Sequence, residues 1–339
     1  MSSIFKRVSR QLSMRAIVHQ FGLAPQSITV EPYTSEPLTP FQIQLKMRYS
    51  TINPSDLITI SGAYRSRIPL PFIPGFEGLG IIKERYDSHS AFSIGDRVLP
   101  IGSAGAWQRY RNIDEKWCFT IPNQLSDEQA ATSYINPMTA WLIVSERLHR
   151  HKEMTLVINA ANSAIGLILI RMLNHLGITP IALVRRDNTE ADFEGCNVRR
   201  IINIQNKNSI QQLLESKQST GIDAVLDCVG GIEALQLSHL LKEGGQFINY
   251  GLLSGKPIPP TFWRERPDID FSYFHLRQWI HSSEKNIIQE KLNEVMLLVY
   301  SGIADTIISA HFSLNDIHKA ITYIQDKKKT KKGKILITF

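Results

Sequence analysis

LVINAANSAIG, residues 156 to 166, is the stretch of sequence that decides the fold. Its first three residues are apolar and predict a buried strand, the small residues after them predict a tight turn, and a helix is predicted to begin near Ser163. A strand, a tight turn and a helix start in this order cradle the pyrophosphate of a dinucleotide. The glycine pattern is incomplete, because Ala160 and Ser163 stand where glycines are usual and only Gly166 remains. An ordinary strand–helix turn therefore stays open as the alternative.

The helix predicted after this turn is apolar on most sides. Its few polar residues between Ile165 and Leu176 lie on one narrow face, which is typical of a helix buried against a sheet. Gly177 is a helix stop. A second strand is predicted in PIALVRR, residues 180–186.

The end of this second strand predicts the cofactor. A fold that binds NAD places Asp or Glu there, about 20 residues after the glycine turn, to hold the ribose 2′-hydroxyl. Here Arg185 lies 19 positions after Gly166, and Arg186 follows it. Two cations suit a 2′-phosphate, so the sequence predicts NADPH. The alternative is a pair of solvated arginines at a strand end.

Length and composition indicate a globular chain with room for two domains. The 339 residues are 43% apolar and 20% charged. Because no run of about 18 apolar residues exists, no membrane span is predicted. The cysteines lie far apart and form no CxxC pair, so we expect a reducing, cytoplasmic compartment.

The net charge of +7 favours an anionic ligand or a nucleic acid. The dense basic run KKKTKKGK, residues 327–334, has neither interleaved aromatic residues nor a nucleic-acid-binding motif. We interpret it as a solvated turn that could contact a phosphate, and we expect no nucleic-acid partner. Residues 1–13 are basic and Ser-rich, superficially like a transit peptide; we interpret them as an extended or misplaced start.

From Met14 to about Ile135 the pattern is one of short β segments separated by Gly and Pro. The segments are RAIVHQF, FQIQLKMRYST, GLGIIKERY and DRVLPIG. Their near-alternating hydrophobicity and frequent turn residues predict a largely antiparallel, barrel-like domain. A helix is predicted after Ser126, broken near Pro137 and resuming to Leu148.

The middle of the chain alternates strands with helices, which predicts a parallel doubly wound sheet. The strands are LVINAA, PIALVRR, RRIINI, DAVLDCV and GQFINYG, and a helix is predicted in NSIQQLLESKQ. Residues 255–281 are predicted as a loop, followed by an amphipathic helix from about Glu284 to Tyr300. The tail shows DTIISAHF, a helix near 315–325 and GKILITF; we expect short connections there instead of a crossover, so the tail is assigned to the first domain.

Seven motifs resemble the medium-chain dehydrogenase/reductase superfamily over residues 14–339. They are NPSDLITISGAY, PFIPGFEGLG, INPMTAW, NAANSAIG, DCVGG, FHLRQW and GKILITF. They are most similar to the zinc-independent branch of quinone oxidoreductases and 2-enoyl thioester reductases. The resemblance implies an α/β fold: a discontinuous GroES-like β-barrel catalytic domain, residues 14–135 and 303–339, and a Rossmann NADPH-binding domain with a doubly wound parallel sheet, residues 136–302.

Residue types argue against a zinc site. Zinc alcohol dehydrogenases of this superfamily hold the catalytic metal with Cys and His, and such sites need thiolate or imidazole ligands. Asn53 lies in the segment where the first cysteine would be, and Phe76 replaces the histidine of the Gly-His-Glu motif. The histidines show no paired ligand spacing. We therefore expect no metal and no alcohol oxidation, since the Lewis acid that polarises an alcohol is missing.

A metal-free reductase of this kind passes hydride to quinones or to double bonds conjugated to a carbonyl, and the developing charge needs a hydrogen-bond donor. By resemblance to 2-enoyl thioester reductases, Tyr64 in SGAY takes this role, and Asn53 joins it at the catalytic centre. A loop tyrosine that only closes the pocket is the alternative. Some quinone reductases also carry a tyrosine near here, so Tyr64 leaves the substrate open.

The resemblance also implies a set of cofactor contacts. Asn136 and Thr139 would lie beside the nicotinamide, and Lys334 would approach the cofactor from the tail. The implied contacts to the pyrophosphate are Asn162, Ser163, Ala164, Ile165 and Gly166. Those to the 2′-phosphate are Arg185 and Arg186. Those on the nicotinamide side are Tyr250, Gly251, Leu252, Leu253, Phe274, His275 and Leu276. Trp279 is predicted as a wall of the substrate pocket, with an interface tryptophan as the equal alternative.

The sequence therefore predicts an NADPH-dependent reductase of quinones or activated alkenes that forms a homodimer. A 2-enoyl-thioester reductase of fatty-acid synthesis is the alternative within the enzyme class, although the GLLSG segment and Arg277 depart from that family where an acyl chain would run. A non-enzymatic crystallin-like or RNA-binding member of the superfamily is the alternative of another class.

Overall fold

The computed structural model describes residues 12–151, 153–206, 208, 209, 213, 221–326 and 333–339. The chain divides into two compact units. The first unit holds the described residues up to Tyr134, together with Lys285–Gln289 and Ile308–Phe339; the second unit holds Ile135–Glu284 and Glu290–Ile307. Among the described residues, no helix is both long enough and apolar enough to cross a membrane.

Strands and helices are numbered in chain order. The strands are β1 (Ser13–Val18), β2 (Ile28–Tyr33), β3 (Gln42–Thr51), β4 (Gly78–Arg85), β5 (Arg97–Pro100), β6 (Tyr110–Asp114), β7 (Cys118–Thr120), β8 (Leu156–Ile158), β9 (Ile181–Val184), β10 (Arg200–Asn203), β11 (Ile222–Asp227), β12 (Leu241–Asn249), β13 (Asp270–Tyr273), β14 (Ile308–Ser313) and β15 (Lys334–Thr338). The α-helices are α1 (Ala24–Ser27), α2 (Pro54–Ile60), α3 (Asp127–Ala131), α4 (Ile135–Leu142), α5 (Ala164–His175), α6 (Gly231–Ser238), α7 (Thr261–Glu265), α8 (Leu276–Ser282), α9 (Lys285–Tyr300) and α10 (Ile317–Gln325).

Parallel strands form the sheet of the second unit, in the order β10-β9-β8-β11-β12-β13. Every residue of β8 and β9 is buried, which is why both strands are continuous apolar runs in the sequence. Helix α5 follows β8 and buries most of its apolar residues, as predicted. The predicted doubly wound parallel sheet is confirmed.

The first unit contains a seven-stranded sheet and a two-stranded sheet. The large sheet has the order β14-β15-β3-β4-β5-β7, with β6 also paired to β3, and β1 pairs with β2. All these pairs are antiparallel except β14 with β15. The late strand β15 therefore lies between β14 and β3, where the tail completes the sheet of the first unit.

Two predictions about connections were wrong. The stretch 255–281, predicted as a loop, contains α7, β13 and most of α8. Strand β13 is only four residues long and pairs with β12 at the edge of the sheet. Four residues are too few to show the alternation of apolar and polar residues from which a strand is predicted. In the tail, α10 makes a true crossover, because β14 and β15 run parallel on either side of it.

The helix break was predicted near Pro137 but lies earlier. Helix α3 ends at Ala131, and α4 begins at Ile135, so that Pro137 sits in its first turn. Proline is tolerated there because the first N–H groups of a helix have no intrahelical acceptor. A π-helical turn, Ile143–Arg147, continues α4. The helix predicted in NSIQQLLESKQ and the turn predicted at 327–334 fall largely outside the described residues.

Candidate functional site

The turn after β8 has the close approach that a dinucleotide fingerprint needs. Ala160 adopts a left-handed conformation, with φ of 44°, at a position where glycine is usual. Ser163 caps α5, its Oγ accepting a hydrogen bond from the Gly166 N–H at 3.2 Å. A Cβ added at Gly166 would lie 2.4 Å from the Ala161 carbonyl oxygen, so this position requires glycine. The residues present fit a pyrophosphate at the start of α5.

The two arginines predicted to bind the 2′-phosphate follow β9 directly. Arg186 forms an ion pair with Asp192, with 2.7 Å between Nη2 and Oδ2. The same Oδ2 atom accepts a hydrogen bond from Asn162 Nδ2 at 3.0 Å. The Asp192 carboxylate therefore connects Arg186, which follows β9, to Asn162 in the turn after β8.

Arg185 has a second carboxylate partner. Its Nη2 lies 3.2 Å from Glu233 Oε2, and the other oxygen of Glu233 accepts from Asn159 Nδ2 at 3.0 Å. Burial raises the pKa of Glu233, and the nearby Arg185 opposes that shift. Both arginine side chains are about half exposed, so a phosphate that approaches them would compete with the carboxylates of Glu233 and Asp192.

Asp227 ties together the carboxyl ends of the central strands. Its carboxylate accepts from Asn159 Nδ2 at 2.5 Å and from Asn249 Nδ2 at 2.6 Å. It also accepts from the N–H groups of Val229 and Gly230. These bonds hold the ends of β8, β11 and β12 in register at the edge of the sheet where open α/β folds bind ligands.

Positions predicted on the nicotinamide side lie at three places in the second unit. Asn136 and Thr139, both nearly buried, stand three residues apart on α4 and so share one face. Tyr250–Leu253 follow β12; the Tyr250 hydroxyl is buried, and burial raises its pKa. Phe274–Leu276 lead into α8, with Phe274 buried.

Trp279 on α8 is half-buried, and its indole N–H donates to Glu146 Oε2 at 3.1 Å. Glu146 also pairs with Lys291 at 3.8 Å. The hydrogen bond to Glu146 in the π-helical turn holds the indole in place. It fits both a wall of the substrate pocket and an interface tryptophan, so the role of Trp279 stays a prediction.

In the first unit, Asn53 and Lys334 meet at one buried carboxylate. The Lys334 ammonium lies 2.6 Å from Glu77 Oε2, with both side chains almost fully buried. The same oxygen accepts from Thr51 Oγ1 at 2.8 Å and Asn53 Nδ2 at 3.1 Å. The other oxygen accepts from the Tyr134 N–H at 3.1 Å. We call Thr51, Asn53, Glu77 and Lys334 the Glu77 cluster.

Asp56 supports the Glu77 cluster from the first turn of α2. Its Oδ2 accepts from the Asn53 N–H at 2.7 Å, and its Oδ1 accepts from the Phe76 N–H at 3.0 Å. Burial raises the pKa of Asp56 to about 7, and Glu77 adds to this shift while Lys334 opposes it. Asp56 therefore joins the segments of Asn53 and Phe76, the two positions at which the sequence predicts that zinc ligands are missing.

Tyr64 lies in the turns that follow α2. Its side chain is half-buried, and the Arg67 guanidinium lies 4.6 Å from the centre of its ring. Its carbonyl oxygen accepts from the N–H groups of Arg67 and Ile68. The hydroxyl has no hydrogen-bond partner among the described residues, so it is available as a donor to a ligand.

Two family models match the chain: the alcohol dehydrogenase GroES-like domain over residues 39–123 and the zinc-binding dehydrogenase over residues 197–337. The mitochondrial enoyl-[acyl-carrier-protein] reductase of Caenorhabditis elegans is 31% identical over 285 residues, which are 82% of this chain and 81% of the relative. The chain belongs to the medium-chain dehydrogenase/reductase superfamily.

Solved structures of this superfamily match almost the whole chain. A Bacillus thuringiensis structure assigned as an NADPH:quinone reductase is 31% identical with a TM-score of 0.90, and the match covers 97% of this chain and 99% of that one. The Escherichia coli quinone oxidoreductase in complex with NADPH has a TM-score of 0.85 at 20% identity, covering 96% and 100%. At that identity the second likeness concerns the fold alone.

The zinc-free expectation for this superfamily member stays a prediction. Asn53 and Phe76 are engaged in the hydrogen bonds of the Glu77 cluster and of Asp56. Within the part of the chain that the structure describes, no group of three His, Cys, Asp or Glu side chains could hold a metal ion. The match to a zinc-binding dehydrogenase model makes a direct metal measurement worthwhile.

Sequence analysis missed the acids that bind the predicted site residues of each unit. Glu77 was noticed only as part of the Gly-His-Glu motif, and Asp192 and Glu233 belong to none of the motifs, although each of the three acids binds a predicted site residue. The available signal was charge balance: an apolar strand end followed by two arginines calls for nearby carboxylates. The pairings of Glu233 and Glu77 could not be found, because Glu233 is 48 residues from Arg185 and Glu77 is 257 residues from Lys334.

The stability contribution of Asp56 is expected to fall as pH rises. Its pKa in the fold, about 7, is above its ordinary value of 3.8, so the folded state binds this proton more tightly than the unfolded state does. The resulting stabilisation is complete below about pH 4 and is lost as pH rises through 7. Urea unfolding at pH 5 and pH 8 should therefore show Asp56→Asn gaining on the wild type at the higher pH. A constant difference between the two proteins would contradict the raised pKa.

Proposed function

We propose that this superfamily member is an NADPH-dependent, zinc-independent oxidoreductase that passes a hydride to quinones or activated carbon–carbon double bonds. The observation that carries the proposal is the arginine pair at the end of β9, joined to the fingerprint turn through Asp192. An acid at this position would favour NAD. Two guanidinium groups next to the start of α5 instead favour a dinucleotide with a 2′-phosphate.

The second unit would bind the cofactor. The start of α5 at Ser163 would hold the pyrophosphate with its free N–H groups, and Arg185 and Arg186 would bind the 2′-phosphate. Bound NADPH would supply a hydride from nicotinamide C4. Asn136 and Thr139, on one face of α4, would orient the nicotinamide ring.

The first unit would serve the acceptor. Charge develops on the acceptor's oxygen when hydride arrives at a carbon conjugated to it, and Tyr64 would donate a hydrogen bond there. The Glu77 cluster would hold the start of α2, and with it the turns that carry Tyr64. Because Lys334 forms a buried ion pair with Glu77, we propose that it stabilises the Glu77 cluster. Its predicted contact with the cofactor would be a second role.

Quinones are the acceptor that we put first. The Bacillus thuringiensis structure, assigned as a quinone reductase, matches this chain over nearly its whole length at 31% identity. An enoyl thioester is the second candidate, supported by the Caenorhabditis elegans relative at the same identity and by the free hydroxyl of Tyr64. NADPH consumption with 1,4-benzoquinone and with crotonyl-CoA separates the two, and absence of turnover with either would contradict both.

Arg185→Ala is expected to weaken NADPH binding about 10- to 100-fold and to leave NADH binding nearly unchanged. Each charge-assisted contact to a phosphate contributes about 1.5–3 kcal/mol, and this converts to that range of affinity. Fluorescence titration of both cofactors measures it. Arg199→Ala is the matched control, because Arg199 is an exposed arginine of the same unit that bonds Thr155 Oγ1. Equal loss of NADH affinity would contradict the assignment.

Glu233→Gln sharpens this test. The substitution keeps an oxygen for the Asn159 amide and removes the charge that pairs with Arg185. Because the phosphate then no longer competes with a carboxylate, NADPH should bind more tightly than to the wild type while NADH affinity stays the same. Weaker NADPH binding would show that Glu233 mainly holds Arg185 in place for the 2′-phosphate and does not mainly compete with the phosphate for Arg185.

Purified protein is expected to contain no stoichiometric zinc. Asn53 and Phe76 offer no thiolate or imidazole at the positions of the usual ligands. Elemental analysis by mass spectrometry measures the metal content per chain. One zinc per chain, lost together with activity on chelation, would contradict the prediction.

We also propose that the protein is a homodimer formed at the free edge of the second unit's sheet. Strand β13 pairs with β12 on one side and has no second partner among the described strands, so its outer N–H and C=O groups could pair with a second copy. The cytoplasmic location stays a prediction. Analytical ultracentrifugation tests the dimer.

A further inference from the structure

The first unit contains a cavity of about 550 Å³ that none of the predicted catalytic or cofactor-binding residues lines. Its lining includes the apolar residues Ile17, Phe72, Ile73, Ile113 and Trp117. Its lining also includes the polar residues Ser103, Gln108 and Asn112 and the charged residue Arg111. Apolar walls with a few convergent polar groups are the usual construction of a small-molecule site.

Arg111 is the uncompensated charge of this cavity. The residue is 3% exposed, and its guanidinium donates to the carbonyl oxygens of Pro100, Ser103 and Ala104 and to the Ser103 hydroxyl. All these acceptors are neutral. The Nε–H group has no acceptor, and no carboxylate pairs with Arg111, among the described residues. A buried cation without a counter-ion is costly.

The other charged side chains of the cavity wall are already paired. Arg15 lies 2.7 Å from Glu31, and Asp114 lies 3.2 Å from Lys116. Burial lowers the pKa of Arg111 only to about 10, so the guanidinium stays charged at neutral pH. The positive charge of Arg111 in the cavity lining is therefore available to a ligand.

Gly105 leaves the free donor open to approach. Its φ is 126°, and a Cβ at this position would lie 3.2 Å from Arg111 Nε and 3.6 Å from Gln108 Nε2. Without that carbon, no side chain of residue 105 lies against the Nε–H group, for which the neighbouring loop offers no acceptor. The loop thus satisfies most of the guanidinium and spares the edge that an oxyanion would contact.

We infer that this cavity binds a small organic oxyanion with an apolar body, such as a medium-chain carboxylate. The carboxylate would accept from Arg111 Nε, and the body would lie against Phe72, Ile73 and Trp117. This would be a second ligand site in the first unit, which hydride transfer from NADPH does not require. Such a ligand supplies the missing counter-charge and buries apolar surface at the same time.

Isothermal titration calorimetry with three probes tests the inference on the full-length protein. Octanoate should bind saturably, and octanol, with a similar body but no charge, should bind at least about tenfold more weakly. Inorganic phosphate, an oxyanion without an apolar body, should also bind at least about tenfold more weakly. Equal binding of octanol or of phosphate would overturn the assignment of an amphipathic oxyanion.

Two variants locate the site. Arg111→Gln should weaken octanoate binding about 10- to 100-fold, whereas the matched control Arg48→Gln, at an exposed arginine of the same unit, should not. If Arg111→Gln does not fold, Ile73→Trp places a larger side chain in the cavity lining and leaves Arg111 in place. Octanoate affinity should then fall about tenfold or more while NADPH affinity is unchanged. Unaltered octanoate binding in whichever variant folds would overturn the inference.

Discussion

Replacing Tyr64 with phenylalanine is expected to lower kcat for an enoyl substrate about 100-fold or more, while NADPH affinity changes little. The substitution keeps the aromatic ring under the Arg67 guanidinium and removes only the hydroxyl, which has no partner among the described residues. Loss of a donor that acts mainly in the transition state lowers kcat more than it weakens binding. Stability should therefore be nearly unaffected.

A comparison of substrates distinguishes catalysis by Tyr64 from damage to the fold. A quinone is a stronger oxidant and can take its proton from water, so its rate should fall less than that of an enoyl thioester. Steady-state kinetics with crotonyl-CoA and 1,4-benzoquinone measure the contrast, and Tyr49→Phe, at a half-buried tyrosine of β3, is the matched control. Equal loss for both substrates together with weaker NADPH binding would make Tyr64 structural, and unchanged enoyl reduction would mean that another group donates.

Lys334→Met is expected to lower the free energy of unfolding by about 3–5 kcal/mol, because it leaves Glu77 as a buried charge without its cation. Thr51, Asn53 and the Tyr134 N–H also donate to Glu77, but all three donors are neutral and cannot replace a full positive charge. Urea unfolding at pH 7 measures the loss. Lys319→Met is the matched control: Lys319 pairs with Asp316 on the surface at 2.8 Å, and exposed pairs contribute little.

The double variant Glu77→Gln/Lys334→Met separates a structural role from cofactor binding. Glutamine keeps an oxygen for Thr51 and Asn53 and removes the uncompensated charge, so much of the stability should return. If Lys334 also binds the cofactor, NADPH should bind this double variant more weakly than the wild type. Full recovery of both properties would remove Lys334 from the cofactor contacts, and no recovery of stability would contradict the charge argument.

The parallel sheet could be predicted because its inner strands are buried on both faces. Residues 156–158 and 181–184 are therefore continuous apolar runs, and the helix between them shows one polar face. Strand β13 could not be predicted, since four residues at a sheet edge need no such pattern. Helix α2 was missed as well, because its polar side chains Asn53 and Asp56 look like those of a loop although they hold its first turn.

The candidate site was predictable only in its local parts. The fingerprint turn and the arginine pair are short stretches, and their chemistry follows from residue type and spacing. The Glu77 cluster joins residues 257 positions apart, and its lysine lies in a tail whose pairing with β3 depends on the whole fold. Interactions of this kind leave no periodic mark in a sequence.

The place of β15 in the sheet sets an order of events during synthesis. Residues 334–338 form a strand between β14 and β3, yet they follow every residue of the second unit in the sequence. The ribosome therefore releases all of the second unit before it releases the strand that completes the first sheet. Until then, Glu77 lacks its lysine and β3 keeps an open edge that a chaperone or another nascent chain could contact. The half of the protein that is translated first is the half that is completed last.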